Sequence, residues 1–272
     1  MLNEKAYTLG ANRSVIRDLF EYGKARAAIV GPENVFDYSI GNPSIPSPKG
    51  VDDAIREILS DTDSLLIHGY TSANGDLATR KAISDDLNAR YGCKTAAEDF
   101  FIMGGAAPEL VAVCRALAVE GGEVLAIAPY FPEYKPYVEQ AGSVFRVVPA
   151  DEPHFQLNLE ALEDMLTPNT SAVIVNNPNN PVGSVYSADT IGRLAALLER
   201  KSMEFGHRIY VIADEPYREL VYGEAKVPFI PSIYPHTAVC YSYSKSLSLP
   251  GERLGYIYVP FEADQGQDLY HA

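Results

Sequence analysis

The sequence predicts an α/β fold, a three-layer arrangement in which helices cover both faces of a mainly parallel, seven-stranded sheet. Short apolar runs rich in Val, Ile and Tyr are bounded by Gly, Pro or Asn, as strands are. Amphipathic stretches separate many of these runs, and strands that alternate with helices form βαβ units. The last two runs are joined without helical periodicity, which favours an antiparallel final strand. The candidate strands are residues 100–103, 123–128, 144–148, 172–176, 209–213, 238–241 and 256–259.

The predicted helices follow from the spacing of apolar side chains. Leu110, Val113 and Leu117 recur at three- and four-residue intervals, which places them on one helix face. The first helix and a Pro-rich segment at 41–48 differ from the rest, so we expect an N-terminal arm over residues 1–50 and a main domain over residues 51–272. The candidate helices are residues 14–29, 75–91, 107–119 and 188–204.

Composition and charge exclude several classes of protein. The 272 residues are 47% hydrophobic and 21% charged, which is typical of a globular protein rather than a disordered or fibrous one. The 22 Lys and Arg against 36 Asp and Glu produce a formal charge of −14, which argues against general binding of nucleic acid or anionic membranes. Three scattered cysteines indicate neither a disulfide framework nor a metal site. We found no signal peptide and no membrane-spanning stretch, so we expect a soluble, cytoplasmic protein.

Chemically active residue types follow five of the predicted strands. In an open parallel sheet, ligands bind beyond the carboxyl ends of the strands, so these segments are expected to share one pocket. Each has a commonplace explanation when taken alone: Asp214 could cap a helix, Phe131 could be core, and Lys245 and Arg253 could be solvated surface residues. The segments are Gly104–Ala107, Pro129–Pro132, Asn177–Gly183, Asp214–Tyr217 and Ser242–Lys245.

Taken together, the segments resemble a known family. NNPNNPVG (176–183), ADEPY (213–217) and SYSKSLSLPGERLGY (242–256) occur in the order found in the class I and II aminotransferases, the fold-type-I enzymes of the aspartate aminotransferase superfamily that use pyridoxal 5′-phosphate. Further matches upstream are YTSANG (70–75), GAA (105–107), GGEV (121–124) and APYFPEY (128–134). The resemblance covers about residues 40–260. It implies a cofactor-dependent transfer of an amino group between an amino acid and a 2-oxo acid.

The resemblance implies a catalytic set of Lys245, Asp214 and Tyr217. Lys245 matches the lysine that forms a Schiff base with the cofactor aldehyde and then moves a proton as general acid and base. Asp214 matches the carboxylate that keeps the pyridine nitrogen protonated. Asn180 and Tyr217 would hydrogen-bond the phenolic oxygen, and Phe131 would stack on the ring.

The resemblance also implies a phosphate site. The Gly105 turn, the backbone N–H groups of Ala106 and Ala107, the Ser242 hydroxyl and the Arg253 guanidinium would hold the phosphate. Ala107 departs from the hydroxyl residue often found at its position in the family.

Two further positions match residues of the family. Tyr70 matches a tyrosine that reaches the phosphate from the partner subunit, which implies a homodimer with shared sites. Gly41 matches a backbone segment on the substrate side. The N-terminal residues 1–50 would belong to the small domain and the dimer contact. The family continues into a C-terminal small domain that supplies an arginine for the substrate carboxylate, and no residue here matches it, so we expect an incomplete enzyme.

Several alternatives remain open from the sequence. Another reaction of the same fold, such as β-elimination at a carbon–sulfur bond, would use the same cofactor site. A catalytically impaired fragment that still binds the cofactor, or a non-catalytic binding module, would explain the short chain, although a pure scaffold would have no chemical need for the complete set of cofactor residues. A dehydrogenase is disfavoured because no glycine fingerprint follows a strand.

Overall fold

The computed structural model describes residue 2, residues 4–11 and residues 15–272. The chain divides into two compact units, residues 1–46 and residues 47–272. In the first unit, helix α1 spans Glu4–Ala11 and helix α2 spans Val15–Val30. The helix predicted from residue 14 is thus α2, and Ser14 itself lies outside the described residues. Residues 41–46, in the predicted Pro-rich segment, form neither helix nor strand.

The second unit contains the predicted strands and more helices than the sequence analysis predicted. The strands are β1 (Phe100–Met103), β2 (Glu123–Ile127), β3 (Val144–Val148), β4 (Thr170–Asn176), β5 (Tyr210–Asp214), β6 (Thr237–Ser242) and β7 (Gly255–Tyr258). The helices are α3 (Lys49–Asp61), α4 (Ser64–His68), α5 (Leu77–Tyr91), α6 (Ala106–Ala116), α7 (Tyr134–Ala141), α8 (Leu159–Met165), α9 (Ala188–Phe205), α10 (Tyr243–Ser246) and α11 (Gly266–His271).

The seven strands form one sheet in the order β1-β7-β6-β5-β4-β2-β3. The pairs from β6 through β5, β4 and β2 to β3 are all parallel. Strand β7 lies between β1 and β6 and is antiparallel to both. The predicted fold class, including the antiparallel final strand, is confirmed.

Alternation along the central strands builds a core on each face of the sheet. In β5, Val211 and Ala213 join the cluster that packs against α5, α8 and α9. Tyr210 and Ile212 point to the opposite face, where the core includes side chains from α6 and α7. Because both faces are covered, the inner strands consist almost entirely of buried residues, which explains why they occur as uninterrupted apolar runs in the sequence.

The predictions were wrong at the boundaries of some elements and missed several helices, among them α3, which spans 13 residues. Asp214 and Ser242 were predicted to follow their strands, but each is the last residue of its strand. A polar side chain signals a loop in sequence, yet the backbone of Asp214 still pairs with neighbouring strands on both sides. Helices α7 and α8 were not predicted because eight and seven residues are too few to establish a helical period. The predicted helix 107–119 ends at Ala116.

Candidate active site

A cradle of three residues forms where α6 begins; we call Gly105, Ser242 and Arg253 the cradle. Gly105 adopts a φ of 94°, a conformation that side chains rarely allow. A Cβ built on Gly105 would lie 3.1 Å from Arg253 Nη2 and 3.3 Å from Ser242 Oγ, so the guanidinium and the hydroxyl converge on this glycine. The first N–H groups of a helix have no partner within the helix, and here they belong to Ala106 and Ala107. Helix end, hydroxyl and guanidinium together form an anion site.

The cradle is held by local hydrogen bonds. Ser242 is the N-cap of α10, and its Oγ accepts a hydrogen bond from the Ser244 backbone N–H at 3.2 Å and lies 2.7 Å from Ser244 Oγ. Arg253 Nη1 donates to the Pro250 carbonyl oxygen at 2.9 Å. That bond leaves the remaining guanidinium donors available for a ligand, and the exposure of Arg253 leaves the cradle open to solvent.

Asp214, the last residue of β5, is the carboxylate of the candidate site. Its Oδ2 accepts hydrogen bonds from the Tyr134 hydroxyl and from Asn176 Nδ2, the latter at 3.3 Å. Its Oδ1 is buried and has no hydrogen-bond partner among the described residues. Burial raises the pKa of Asp214 to about 7, and the hydrogen bond from Tyr134 opposes that shift. A buried carboxylate oxygen without a donor fits the protonated nitrogen of a pyridinium ring.

Asn180 and Tyr217 meet beside Asp214. Asn180 Nδ2 donates to the Tyr217 hydroxyl at 3.3 Å. The backbone N–H of Asn180 donates to Asn176 Oδ1 at 2.5 Å, so the side chain of Asn176 touches both Asp214 and Asn180. The pKa of Tyr217 is raised by burial and by the charge of Asp214. The Tyr217 hydroxyl and the Asn180 amide are thus adjacent polar groups, and the charge of Asp214 acts on the hydroxyl.

Lys245 and Phe131 are two further predicted site residues of this unit. Lys245 lies on α10, three residues after Ser242, and is half-buried. Burial lowers the pKa of its ammonium group, which favours the neutral amine. The Phe131 ring is partly buried and packs edge-on against the Tyr134 ring, with 5.7 Å between centroids.

The unpartnered oxygen of Asp214 and the anion-binding cradle fit the two ends of pyridoxal 5′-phosphate, a pyridine that carries a phosphate.

Tyr70 and Gly41 are the remaining predicted site residues. Tyr70 follows α4 and is fully exposed, with no contact to the cradle recorded among the described residues. Gly41 belongs to residues 1–46, and its predicted role on the substrate side stays a prediction.

Three residues that the sequence analysis did not assign lie at the site. Tyr134 and Asn176 hydrogen-bond Asp214, and both sit in motifs already noted, APYFPEY and NNPNNPVG. Glu109 is completely buried in the first turns of α6. It precedes Val113 by four residues, so a charged residue on the apolar face of a predicted helix was the signal that could have found it.

The described residues contain neither a membrane-spanning helix nor a metal-binding cluster. No helix among them combines the length and the apolar content needed to cross a bilayer. No group of three or more His, Cys, Asp or Glu side chains in the described part of the chain could hold a metal ion.

Comparisons with known proteins agree on one family. The family described as aminotransferase class I and II matches residues 33–266. A probable N-acetyl-LL-diaminopimelate aminotransferase of Bacillus subtilis is 29% identical over 84% of this chain and 56% of its own length. The aspartate aminotransferase of Thermotoga maritima is 30% identical over 86% of this chain and 60% of its own.

Solved structures show the same likeness. The crystal structure of an amino transferase from Eubacterium rectale superimposes with a TM-score of 0.96 and 54% identity, over 100% of this chain and 68% of that one. An aspartate aminotransferase of Thermus thermophilus with maleate has a TM-score of 0.81 at 25% identity, over 99% of this chain and 66% of that one. The chain thus spans about 56–60% of the length of those curated relatives and about two thirds of those structures.

Proposed function

Because this chain belongs to the aminotransferase class I and II family, we propose that it binds pyridoxal 5′-phosphate and acts in the transfer of an amino group between an amino acid and a 2-oxo acid. The observation that carries the proposal is the buried Oδ1 of Asp214, which has no donor among the described residues. A buried carboxylate without a partner is costly unless a ligand supplies one. A pyridinium N–H is the donor that this family's cofactor would bring.

The bound cofactor supplies the electron-withdrawing ring that makes the α-carbon proton of an attached amino acid acidic. Asp214 holds a proton on the ring nitrogen, because an ionised carboxylate stabilises the adjacent cation. Burial and the charge of Glu215 raise the pKa of Asp214 to about 7 against the hydrogen bond from Tyr134, and a cationic partner at Oδ1 would restore the charged form. Tyr134 supports the same form by donating a hydrogen bond to Oδ2.

Lys245 would hold the cofactor through its amine and would serve as the general base and acid for the proton of the substrate α-carbon. Both tasks require a neutral amine, and burial lowers the pKa of Lys245 in that direction. Asn180 Nδ2 and the Tyr217 hydroxyl, which lie 3.3 Å apart, hold the phenolic oxygen of the ring. Phe131 packs on the ring face.

Gly105, Ala106, Ala107, Ser242 and Arg253 bind the phosphate. Arginine suits this task because its planar group donates two parallel hydrogen bonds to phosphate oxygens. Anchoring the phosphate would orient the cofactor relative to Lys245, and orientation of this kind is a major source of rate enhancement.

Two parts of the proposal extend beyond this site. We propose that Tyr70 of a second copy of the chain completes the phosphate site, so that the working form is a homodimer; its full exposure leaves it available for such a contact. Gly41 would line the substrate side.

The decisive experiment is a visible absorption spectrum of the purified chain with pyridoxal phosphate, before and after addition of single amino acids. We expect a band of the lysine-attached cofactor in the wild type and none in Lys245→Ala, with Lys226→Ala, which removes an exposed lysine, as the matched control. Aspartate and aromatic amino acids are the first donors to try. A borohydride-reducible adduct in Lys245→Ala would contradict the assignment of Lys245.

The reaction class is tested by the same spectra. A band that shifts with an amino acid and returns with a 2-oxo acid would support amino-group transfer. Release of ammonia and pyruvate from a cysteine-type substrate, without that return, would instead indicate β-elimination. A band that no amino acid changes would refute catalysis by this chain while supporting cofactor binding.

A further inference from the structure

Glu109 is a buried carboxyl group that the proposed chemistry does not use. It lies in the first turns of α6, and its side chain is completely inaccessible to solvent. No side chain among the described residues hydrogen-bonds either carboxyl oxygen, and the backbone N–H of Tyr241 on β6 is close enough to lower the pKa of the carboxyl group. An ionised carboxylate without a charged partner in such a place is far more costly than a neutral acid.

The carboxyl group lies directly behind the cradle. Strand β7 begins with Gly255, and a Cβ built on Gly255 would lie 2.4 Å from Glu109 Oε1 and 2.9 Å from the Cα of Gly105. Gly255 therefore has no room for a side chain, because Glu109 and the cradle glycine both press against it. The carboxyl group and the cradle glycine Gly105 thus lie against the same residue, Gly255.

The charged and titratable groups that act on Glu109, among the described residues, come from three strands or their ends. They are Asp214 from β5, Cys240 from β6 and Arg253 from the segment before β7. Burial raises the pKa of Glu109 well above its ordinary value, and the charge of Asp214 raises it further. The Arg253 guanidinium acts in the opposite sense. A phosphate in the cradle would engage that guanidinium and add negative charge of its own.

We infer that Glu109 is a neutral carboxylic acid when the cradle holds a phosphate dianion, and that ionisation of Glu109 and binding of the phosphate exclude each other. The inference rests on the proposed function, since it assigns the cradle to the cofactor phosphate. Two negative groups on either side of one glycine, with little water between them, repel strongly. By linkage, a dianion that raises the pKa of Glu109 must bind more weakly once Glu109 has lost its proton.

The inference makes the affinity for the phosphate group depend on pH in one direction. Below the pKa of Glu109 the affinity is constant. Above that pKa, ionised Glu109 must take up a proton before the dianion binds, and the affinity falls by about tenfold for each pH unit. Glutamine, which is neutral and nearly the same size, would abolish the fall.

The test compares two probes that differ only in the phosphate group: pyridoxal 5′-phosphate and pyridoxal. Their dissociation constants are measured by fluorescence titration between pH 7 and pH 10, and the ratio of the two removes effects on Lys245 and Asp214 that both probes share. The variants are the wild type, Glu109→Gln, and Glu120→Gln, which changes an exposed glutamate after the same helix. Glu109→Met serves as a second neutral variant if the glutamine does not fold.

We expect the affinity ratio to fall with pH in the wild type and in Glu120→Gln, and to stay constant in Glu109→Gln. Calorimetry of the wild type at the alkaline end, in buffers of different ionisation enthalpy, should show proton uptake that accompanies pyridoxal phosphate and not pyridoxal. A ratio that is flat in the wild type, or equally steep in Glu109→Gln, would overturn the inference. So would a loss of phosphate affinity in Glu109→Gln at pH 7, because it would mean that an ionised Glu109 supports Arg253. A wild type that binds pyridoxal phosphate no better than the unfolded chain at any pH would refute the proposed function itself.

Discussion

Replacing Gly105 by alanine is expected to weaken phosphate binding while leaving the protein folded. The glycine has φ 94° and ψ 171°, a region that is almost closed to other residues, so the backbone cost is about 1–3 kcal/mol. The new Cβ would stand 3.1 Å from Arg253 Nη2 and 3.3 Å from Ser242 Oγ, so both groups must move by a few tenths of an ångström. Loss of one charge-assisted hydrogen bond to the phosphate costs about 1.5–3 kcal/mol, or roughly 10- to 150-fold in affinity.

Two measurements separate these effects. Urea denaturation without cofactor reports the backbone cost, and titration with pyridoxal phosphate and with pyridoxal reports the phosphate contact. The matched control is Gly142→Ala at the end of α7, where φ is 97° and no atom lies within 4 Å of the new Cβ. We expect Gly142→Ala to lose about 1 kcal/mol of stability and to bind both compounds as the wild type does. Wild-type affinity for pyridoxal phosphate in Gly105→Ala would refute the assignment of the cradle.

Four further predictions concern the charged groups of the site and its surroundings. Arg253→Ala should lower the affinity for pyridoxal phosphate by roughly 10- to 150-fold and leave that for pyridoxal unchanged, as measured by fluorescence titration. In the absence of cofactor, the titration of Asp214 should lower the free energy of unfolding by roughly 4 kcal/mol between pH 4 and pH 7. The pKa of Asp214 is about 7 in the native state and 3.8 in the unfolded chain, so the native state retains the proton to higher pH. Tyr134→Phe should extend that loss to higher pH, because it removes a hydrogen bond to the charged form of Asp214. Glu215→Gln should cost about 3–5 kcal/mol in urea denaturation, since it leaves the buried Arg218, 2.6 Å from Glu215 in the wild type, without its counter-charge.

Three of these predictions have a control variant. Arg200→Ala removes an exposed arginine and should leave both affinities unchanged. Asp214→Asn should abolish the difference between pH 4 and pH 7; an unchanged curve would mean that another group titrates. The Glu215→Leu/Arg218→Met double variant should recover much of the stability lost in Glu215→Gln, and failure to recover it would argue that packing rather than charge is decisive.

The sequence predicted the sheet well because its strands are buried on both faces. Strands such as β5 consist entirely of buried residues, so they stand out as apolar runs between turn residues. The antiparallel direction of β7 followed from the lack of a crossover helix before it. Short helices escaped because their stability comes from tertiary packing: α7 buries Tyr134 and Val138, two contacts that no local pattern announces.

Site residues that lie in ordered sequence motifs could be predicted, whereas residues whose role depends on burial or on contacts in the folded chain could not. Asp214, Asn180 and Lys245 lie in motifs that identify themselves by sequence. The role of Tyr134 depends on a hydrogen bond across 80 positions of the chain, which sequence alone does not show. Likewise, Glu109 is distinctive because it is completely buried without a side-chain donor among the described residues, a property of the folded state.

The side chain of Asn176 has a consequence for how a ligand is received. Its amide nitrogen donates to the Asp214 carbonyl at 2.8 Å and its oxygen accepts from the Asn180 backbone at 2.5 Å, so one rigid amide spans two strand ends. The distance between Asp214 and Asn180 is therefore set before any ligand binds. A pocket built in advance loses little conformational freedom on binding, so more of the contact energy remains as affinity. Asn176 thus holds Asp214 and Asn180 at a fixed separation, which pre-organises the site for its ligand.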